Sequence, residues 1–236
     1  MTSFRSTSWL VRASVAGAFL AGAAAASANV LVVRSLGPSA QSYPPGRSLP
    51  DSATVTLAGQ DMLVLLGRSG TRTLRGPGTF RVTGPSQNTS YTSLLRPPRE
   101  RARTGSVRGP GGAPSRSPWQ IDPAVGGTFC VADVAELGLW RANPASSVSM
   151  SVGRAGTPHS LALQWQAGQQ VLNWPAGMPV EAGVDYEVAS PGSRSATIRF
   201  VPIAASRSDR QQLAAALIEH GCQAQLDVLI ASTPEG

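Results

Sequence analysis

Few side chains in this chain are of the types that catalyse reactions or hold metal ions, and their spacing does not group them. His159 and His220 are the only histidines, and neither belongs to an HExxH motif or a His/Cys cluster of the kind a zinc site needs. Asp133 and Glu136 are close in sequence, but two carboxylates three residues apart near a strand start are more typical of a turn than of an acid/base pair. We therefore predict no catalytic residue, no metal site and no cofactor, and a protein that is not an enzyme.

The two cysteines are the most informative pair of reactive groups. Cys130 and Cys222 are the only cysteines, and they are too far apart in sequence for a redox CxxC motif. Two thiols of an exported chain usually pair in an oxidising compartment, which predicts a disulfide that fastens an early strand of the second folded region to the end of the chain. The alternative is two separately buried thiols.

Tryptophan is the other residue type that could carry a binding function. Trp119, Trp140, Trp165 and Trp174 all lie in the second half of the chain. Trp165 alternates in phase with two leucines of a predicted strand, which favours a core position. The residues around Trp140 and Trp174 do not show whether these two side chains are buried or exposed. If exposed they could stack on sugar rings, and we retain these two as candidate binding residues.

The first 28 residues have the three parts of a secretory signal peptide. Arg5 and Arg12 supply the basic region, residues 13–26 form an apolar run, and Ala26 and Ala28 are small residues directly before Asn29. We expect cleavage after Ala28 and export to the periplasm or the medium. An uncleaved anchor is the alternative, but the apolar run is shorter than the roughly 20 residues that span a bilayer.

The net charge of +7 is concentrated in one stretch rather than spread over a face. The segment that begins at Arg96 and ends at Arg116 carries the whole excess of positive charge of the mature chain, which does not indicate a nucleic-acid-binding surface. It lies in residues 85–117, rich in Pro, Gly, Ser and Arg, which we predict to be a disordered linker. Its arginines either keep a spacer extended or bind an anionic envelope polymer.

Residues 29–84 are predicted to form a small, tightly turned β-domain. Apolar runs or alternating patterns near 30–33, 53–57, 62–66 and 71–75 are separated by glycine-bearing turns. The order of a strand, Pro-Pro-Gly-Arg-Ser-Leu, a polar-edged strand, Gln-Asp with an apolar strand, and Arg-Thr-Leu-Arg-Gly-Pro-Gly resembles the FecR-type periplasmic β-domain over about residues 30–82. The resemblance implies a non-catalytic module used in envelope signalling or carried by exported proteins.

Residues 118–232 are predicted to form a β-sandwich with two short C-terminal helices, so that the fold class of the whole chain is mainly β. In the predicted strands apolar and polar side chains alternate, which gives each one buried and one solvated face. An apolar helical face stops at Gly221, with Ser208 predicted as the N-cap of that helix, and a second helix follows. We expect both helices to cover one face or end of the sandwich. The predicted strands are 128–131, 136–140, 147–152, 160–165, 171–174, 184–188 and 196–201.

These features predict a non-enzymatic exported protein that associates with another envelope protein or serves as an accessory to envelope signalling. The alternative is a module that binds envelope polysaccharide. Buried tryptophans would count against the alternative, and an unpaired sheet edge or an exposed apolar patch would favour the first hypothesis.

Overall fold

The structure is a computed structural model of the 236-residue chain and describes residues 29–84, 115, 117–190, 194–206 and 208–236. The predicted signal peptide (1–28) and nearly all of the predicted linker (85–117) lie outside the described residues and stay predictions. The described part is mainly β and ends in two helices, which confirms the predicted fold class. Within it, no helix is both long enough and apolar enough to cross a lipid bilayer.

The first β-region contains six strands. They are β1 (Asn29–Leu36), β2 (Ser48–Pro50), β3 (Thr54–Leu57), β4 (Met62–Leu66), β5 (Thr71–Arg75) and β6 (Gly78–Arg81). Four of them form an antiparallel sheet in the order β2-β1-β4-β5, and β3 pairs with β6 in a separate ribbon. The hairpin predicted between β4 and β5 is present, with Gly70 at φ 141° in its turn.

Strands β1 and β4 are buried on both faces, which explains why their sequences are continuous apolar runs rather than alternating ones. Val32 of β1 and Leu65 of β4 face a core shared with β2, β3 and β5. Their neighbours Val33 and Val64 face the opposite way, into a second core. A strand that alternates apolar and polar residues has one face in water, whereas an unbroken apolar run requires a cover on each face.

The described residues of the second β-region form eight strands in two facing sheets, as the sandwich prediction requires. One sheet has the order β11-β10-β13-β14-β8 and the other has the order β12-β9-β7, and both contribute to one buried cluster. Strands β8 and β14 are parallel, and the other pairs of the larger sheet are antiparallel. The strands are β7 (Gln120–Ile121), β8 (Gly127–Val131), β9 (Gly138–Trp140), β10 (Val148–Arg154), β11 (Ser160–Trp165), β12 (Val171–Asn173), β13 (Asp185–Ala189) and β14 (Ala196–Pro202).

All seven strands predicted for this region are present, with two local differences. β7 was not predicted, because two residues are too short for a periodic pattern. β9 begins later than predicted, because Val134–Glu136 forms a 3-10 turn in which the Asp133 carboxylate accepts the Ala135 N–H. Asp133 is therefore a turn residue, as its sequence context indicated.

The C-terminal helices are α1 (Arg210–Glu219) and α2 (Gln223–Ala231). The predicted N-cap Ser208 is wrong by one residue: the Asp209 carboxylate accepts the N–H groups of Gln211 and Gln212, which a carboxylate does well at the positive end of a helix. Gly221, at φ 70°, ends α1 as predicted.

The helices cover the open face of the first sheet and the end of the sandwich together, whereas the sequence predicted contact with the sandwich alone. Leu31 and Leu66 of the first sheet, Cys130 of β8 and Leu217 and Leu226 of the helices belong to one buried cluster. Gln211 donates to the carbonyls of two residues in the first region, both at 2.8 Å. The helical layer therefore joins the two predicted domains, 29–84 and 118–232, through a shared core.

Candidate functional site

Cys130 and Cys222 form the disulfide that the sequence predicts. Cys130 lies in β8 with its side chain toward the helices, and Cys222 is the residue directly before α2. The bond therefore holds the start of α2 against the last strand of the five-stranded sheet. Its role in this position is to fix the helical layer, which agrees with the predicted function of the pair.

Gln225, beside the disulfide, covers the outer edge of β8. Its side chain is 4% exposed. The side-chain oxygen accepts the Cys130 N–H at 2.7 Å, and the side-chain nitrogen donates to the carbonyls of Cys130 at 2.8 Å and Pro118 at 2.9 Å. The amide thus pairs with β8 as another strand would and satisfies the backbone groups that an edge strand leaves open.

The sequence did contain a signal for Gln225. It follows Cys222 by three residues and precedes Leu229 by four, so helical geometry places it on the apolar face of α2. A polar residue on a buried face requires hydrogen-bond partners there. The sequence could not indicate which backbone groups those partners are.

The candidate binding residues Trp140 and Trp174 are buried, with 8% and 7% of their surfaces exposed. The Trp174 ring packs edge-on against Tyr186 and Phe200, and its N–H donates to the Met178 carbonyl at 2.6 Å. The other described tryptophans, Trp119 and Trp165, are 6% and 2% exposed. In the described ranges these rings therefore belong to cores, and none is presented to solvent as a platform for a sugar.

The histidines and carboxylates do not come together. His159 is exposed in the loop before β11, and His220 is exposed at the C-terminal cap of α1. Nowhere in the described residues do three His, Cys, Asp or Glu side chains lie close enough to hold a metal ion.

Two carboxylates have structural roles that shift their pKa. Asp61, 3% exposed, accepts hydrogen bonds from Ser39 and from the Ala58 N–H, and the bond from the Ser39 side chain is the main cause that lowers its pKa. Asp185 accepts a two-pronged bond from Arg199 across β13 and β14, at 2.6 and 2.7 Å, which lowers the pKa of Asp185. The first carboxylate orders a turn and the second pairs two strands, so both stabilise the fold rather than a reaction centre.

Arg141 is a buried cation whose hydrogen bonds within the described residues go to backbone carbonyls. It is 8% exposed and donates to the backbone carbonyls of Gln169, Ser146 and Gln166 at 2.7–2.8 Å, with its guanidinium 5.3 Å from the Trp165 ring. It joins the loops at one end of the sandwich. Sequence reasoning missed it, because an arginine at the end of a short predicted strand is expected to face solvent.

The best-defined cavities in the described part of the chain are shallow. One of about 190 Å³ lies beside the β4–β5 turn, and its lining includes Arg68, Ser69, Thr83 and Asp51. Another of about 370 Å³ is a depression on the outer face of β10 and β13, bordered by Ser149, Ser151 and Ser190. The first is smaller than the roughly 300–1,000 Å³ of typical ligand pockets, and the second is bordered by few side chains.

The sheet edges differ in how they are protected. Gln225 covers the edge at β8. At β5, the Thr71 N–H donates to the Pro234 carbonyl and the Thr71 carbonyl accepts the Gly236 N–H. The edge strand β2 is only three residues long and ends in Pro50. At β11, the other end of the five-stranded sheet, none of these forms of protection is found among the described residues. Its sequence, Ser-Leu-Ala-Leu-Gln-Trp, contains no charge and no proline, and it pairs with β10 without a bulge over six residues.

The hydrogen-bond phase of β10 shows which backbone groups of β11 are open. The Ala155 N–H, just beyond β10, donates to the Asp185 carbonyl at 2.9 Å, so odd-numbered residues of β10 bond to β13. Even-numbered residues therefore bond to β11, and Val152 is paired with Leu161. Because alternate residues of a strand direct their backbone groups to opposite sides, the groups at the outer edge of β11 belong to Ser160, Ala162 and Gln164.

This edge is the candidate functional site. Three N–H and three carbonyl groups face outward from it, and no described residue outside the strand pairings bonds to them. On the core side of the same strand, Leu161 and Leu163 are only partly buried. The arrangement can accept an extended backbone as an added strand and cover two leucines in doing so.

Comparisons of the chain with protein-family models, with curated proteins and with solved structures found no match. The resemblance of residues 30–82 to the FecR-type domain therefore stays a prediction.

Proposed function

We propose that this is a non-enzymatic exported protein of the cell envelope that acts by associating with other proteins, as an interaction module or as an accessory to signalling. The observation that carries the proposal is the outer edge of β11, which is six residues long, uncharged and left open by the residues that the structure describes. A long edge without protection is a hazard for a protein that stays single, and it is a ready template for a partner strand.

Two further observations support the proposal. The disulfide between Cys130 and Cys222 is typical of proteins that fold in an oxidising compartment. β11 is paired with β10 over six residues within a five-stranded sheet, which keeps its outer edge in a fixed geometry. Preorganised edges lose less conformational entropy on binding than mobile ones.

Site-specific photo-crosslinking in the periplasm of the native host tests the proposal. A photoreactive residue replaces Gln164 on the β11 edge, and a matched control replaces Val125, which is 75% exposed in the loop before β8 at the opposite edge of the same sheet. We expect covalent protein adducts from position 164 and few from position 125. Adducts from neither position, or equal adducts from both, would contradict the proposal.

The binding of anionic envelope polymer by the segment from Arg96 to Arg116 is a separate prediction, since that segment lies outside the described residues. The polysaccharide-binding alternative receives no support from the tryptophans, because the four described rings are 2–8% exposed. Stacking on a sugar requires an accessible ring face.

A further inference from the structure

We infer that the occupant of the β11 edge is a second copy of this chain, paired antiparallel around a two-fold axis that passes beside Ala162. The inference rests on the proposed role of this edge in protein association and specifies the partner. It predicts a homodimer in which two five-stranded sheets join into one continuous sheet of ten strands.

The first argument is the symmetry of the open backbone groups. They belong to Ser160, Ala162 and Gln164, so Ala162 is the centre of the set. In an antiparallel pair centred on Ala162, that residue pairs with its own counterpart and Ser160 pairs with Gln164 of the other copy. Each such pair exchanges two hydrogen bonds, so every open N–H and carbonyl of both copies is satisfied.

The second argument is the side-chain match on the two faces of the joined sheet. Residues directly opposite each other in an antiparallel pair point to the same face. The same register places Leu161 opposite Leu163 of the other copy on the core side, which buries two leucines that the single chain leaves half covered. On the outer side, the Ser160 hydroxyl meets the Gln164 amide of the other copy, so polar groups face polar groups.

The third argument is electrostatic. Two identical surfaces can meet only if they do not repel each other, and β11 carries no charge. The nearest cation of the neighbouring strand, Arg154, lies at the end of β10 and is already paired with Glu181. His159 would lie opposite Trp165 of the other copy rather than opposite a second histidine. A charged foreign segment, by comparison, would find no complementary charge on this strand.

Ala162→Pro tests the hydrogen bonds of the proposed axis. Proline removes an N–H that faces solvent in the single chain, and edge positions of this kind tolerate proline. Sedimentation of the purified mature protein over about 1–200 µM, a range that suits a small interface, is expected to show a monomer–dimer equilibrium for the wild type. The proline variant is expected to be monomeric at every concentration, with an unchanged circular dichroism spectrum.

Ala162→Lys tests the two-fold axis itself, with Ala189→Lys as the matched control. Lysine at 162 places two ammonium groups opposite each other, so dimerisation is expected to weaken at least about tenfold at low salt and to recover partly as salt is added. Ala189 lies on the same face and in the same row of the sheet, because Ser151 pairs with both alanines. Its lysines would be about 24 Å apart across the dimer, well beyond the screening length of about 10 Å at 0.1 M salt, so at that ionic strength this variant is expected to dimerise as the wild type does.

Ala162→Cys tests the register. Across a hydrogen-bonded antiparallel pair the two Cα atoms are about 5.5 Å apart, within the range of a disulfide. Oxidation is expected to yield a covalent dimer of the Ala162→Cys protein. Ser160→Cys is the control, because its own counterpart would lie about four residues away along the strand, roughly 13 Å, and should not crosslink.

A wild type that stays monomeric throughout, a dimer that persists in both Ala162→Pro and Ala162→Lys, or equal crosslinking at positions 160 and 162 would each overturn the inference. Its failure is distinguishable from failure of the proposed function. A monomeric protein whose position 164 still crosslinks to a different envelope protein would refute self-pairing and keep the association role. Absence of both dimer and adduct would refute both.

Discussion

Replacing Gln225 by alanine should remove more stability than any surface substitution, because three buried hydrogen bonds depend on one side chain. The amide bonds to the Cys130 N–H, the Cys130 carbonyl and the Pro118 carbonyl at 2.7, 2.8 and 2.9 Å. Each bond contributes about 1 kcal/mol net, and each buried backbone group left without a partner costs about 1–3 kcal/mol. We expect Gln225→Ala to lower the free energy of unfolding by about 3–5 kcal/mol.

Urea unfolding followed by tryptophan fluorescence, with the disulfide kept intact, measures this change. Trp119 belongs to the same core as the helices and is 6% exposed, so its emission reports loss of the helical layer. Gln223→Ala is the matched control: it removes the same residue type from the same helix, but Gln223 is exposed and makes one bond of 3.3 Å to Asp227. The control is expected to change stability by less than about 0.5 kcal/mol.

A second variant separates the loss of donors from the loss of volume. Gln225→Glu keeps the shape and the acceptor for the Cys130 N–H, but an ionised carboxylate offers no donor to the two carbonyls. Burial beside them raises the pKa of the new carboxyl above its unfolded value of about 4.3. The destabilisation should therefore be present at neutral pH and should diminish as the pH falls through the raised pKa. A Gln225→Ala change below about 1 kcal/mol, or a Gln225→Glu defect that does not respond to pH, would refute the reasoning.

Three further predictions follow from the other buried polar groups and the disulfide. Arg141→Leu should lower the free energy of unfolding by about 3 kcal/mol, because three loop carbonyls lose their donor, whereas Arg199→Ala, which breaks an exposed pair, should cost about 1 kcal/mol or less in the same urea assay. The pKa of Asp61 is lowered in the folded state, so its contribution to stability is present above the unfolded pKa and is lost as the pH falls through the folded pKa. The Asp61→Asn variant should therefore lose less thermal stability than the wild type over that acidic range. A variant whose melting temperature falls with pH as steeply as that of the wild type would contradict this role. Reducing the Cys130–Cys222 bond, which spans 92 residues, should lower the free energy of unfolding by about 4–5 kcal/mol on the chain-entropy model. Urea unfolding with and without reductant measures this change, and an unchanged midpoint would contradict the prediction.

Local patterns in the sequence were enough to predict most of the strands. β10, β11 and β13 alternate apolar and polar residues, and each has one buried face. The period of such a pattern reflects strand geometry alone, so it can be read without knowing what the strand packs against. The pairing of the cysteines was predictable for a similar reason, since only two are present and the predicted export would place them in an oxidising compartment.

The same local information could not assign the candidate site. The sequence did not show whether Trp140 and Trp174 are buried or exposed, because β9, which ends at Trp140, and β12, which ends just before Trp174, carry too few residues to show which face is buried. The edge of β11 was also not predictable. A strand's sequence shows that it has a buried face, but not whether it lies at the centre or the end of its sheet.

The sequence by itself determined most of the secondary-structure elements, the buried faces of the longer alternating strands and the covalent link between Cys130 and Cys222, because each follows from residue types within a few positions or from a count of two. Only the tertiary structure decided that the helices cover β1 and β4 as well as β8, that Gln225 covers one edge of the five-stranded sheet, and that no described residue pairs with the other edge at β11. These arrangements depend on contacts between residues as many as 193 positions apart, as in the ion pair of Arg34 and Asp227. Such contacts form because apolar faces without a local partner must bury against whichever element the chain brings to them, and no local pattern specifies that element.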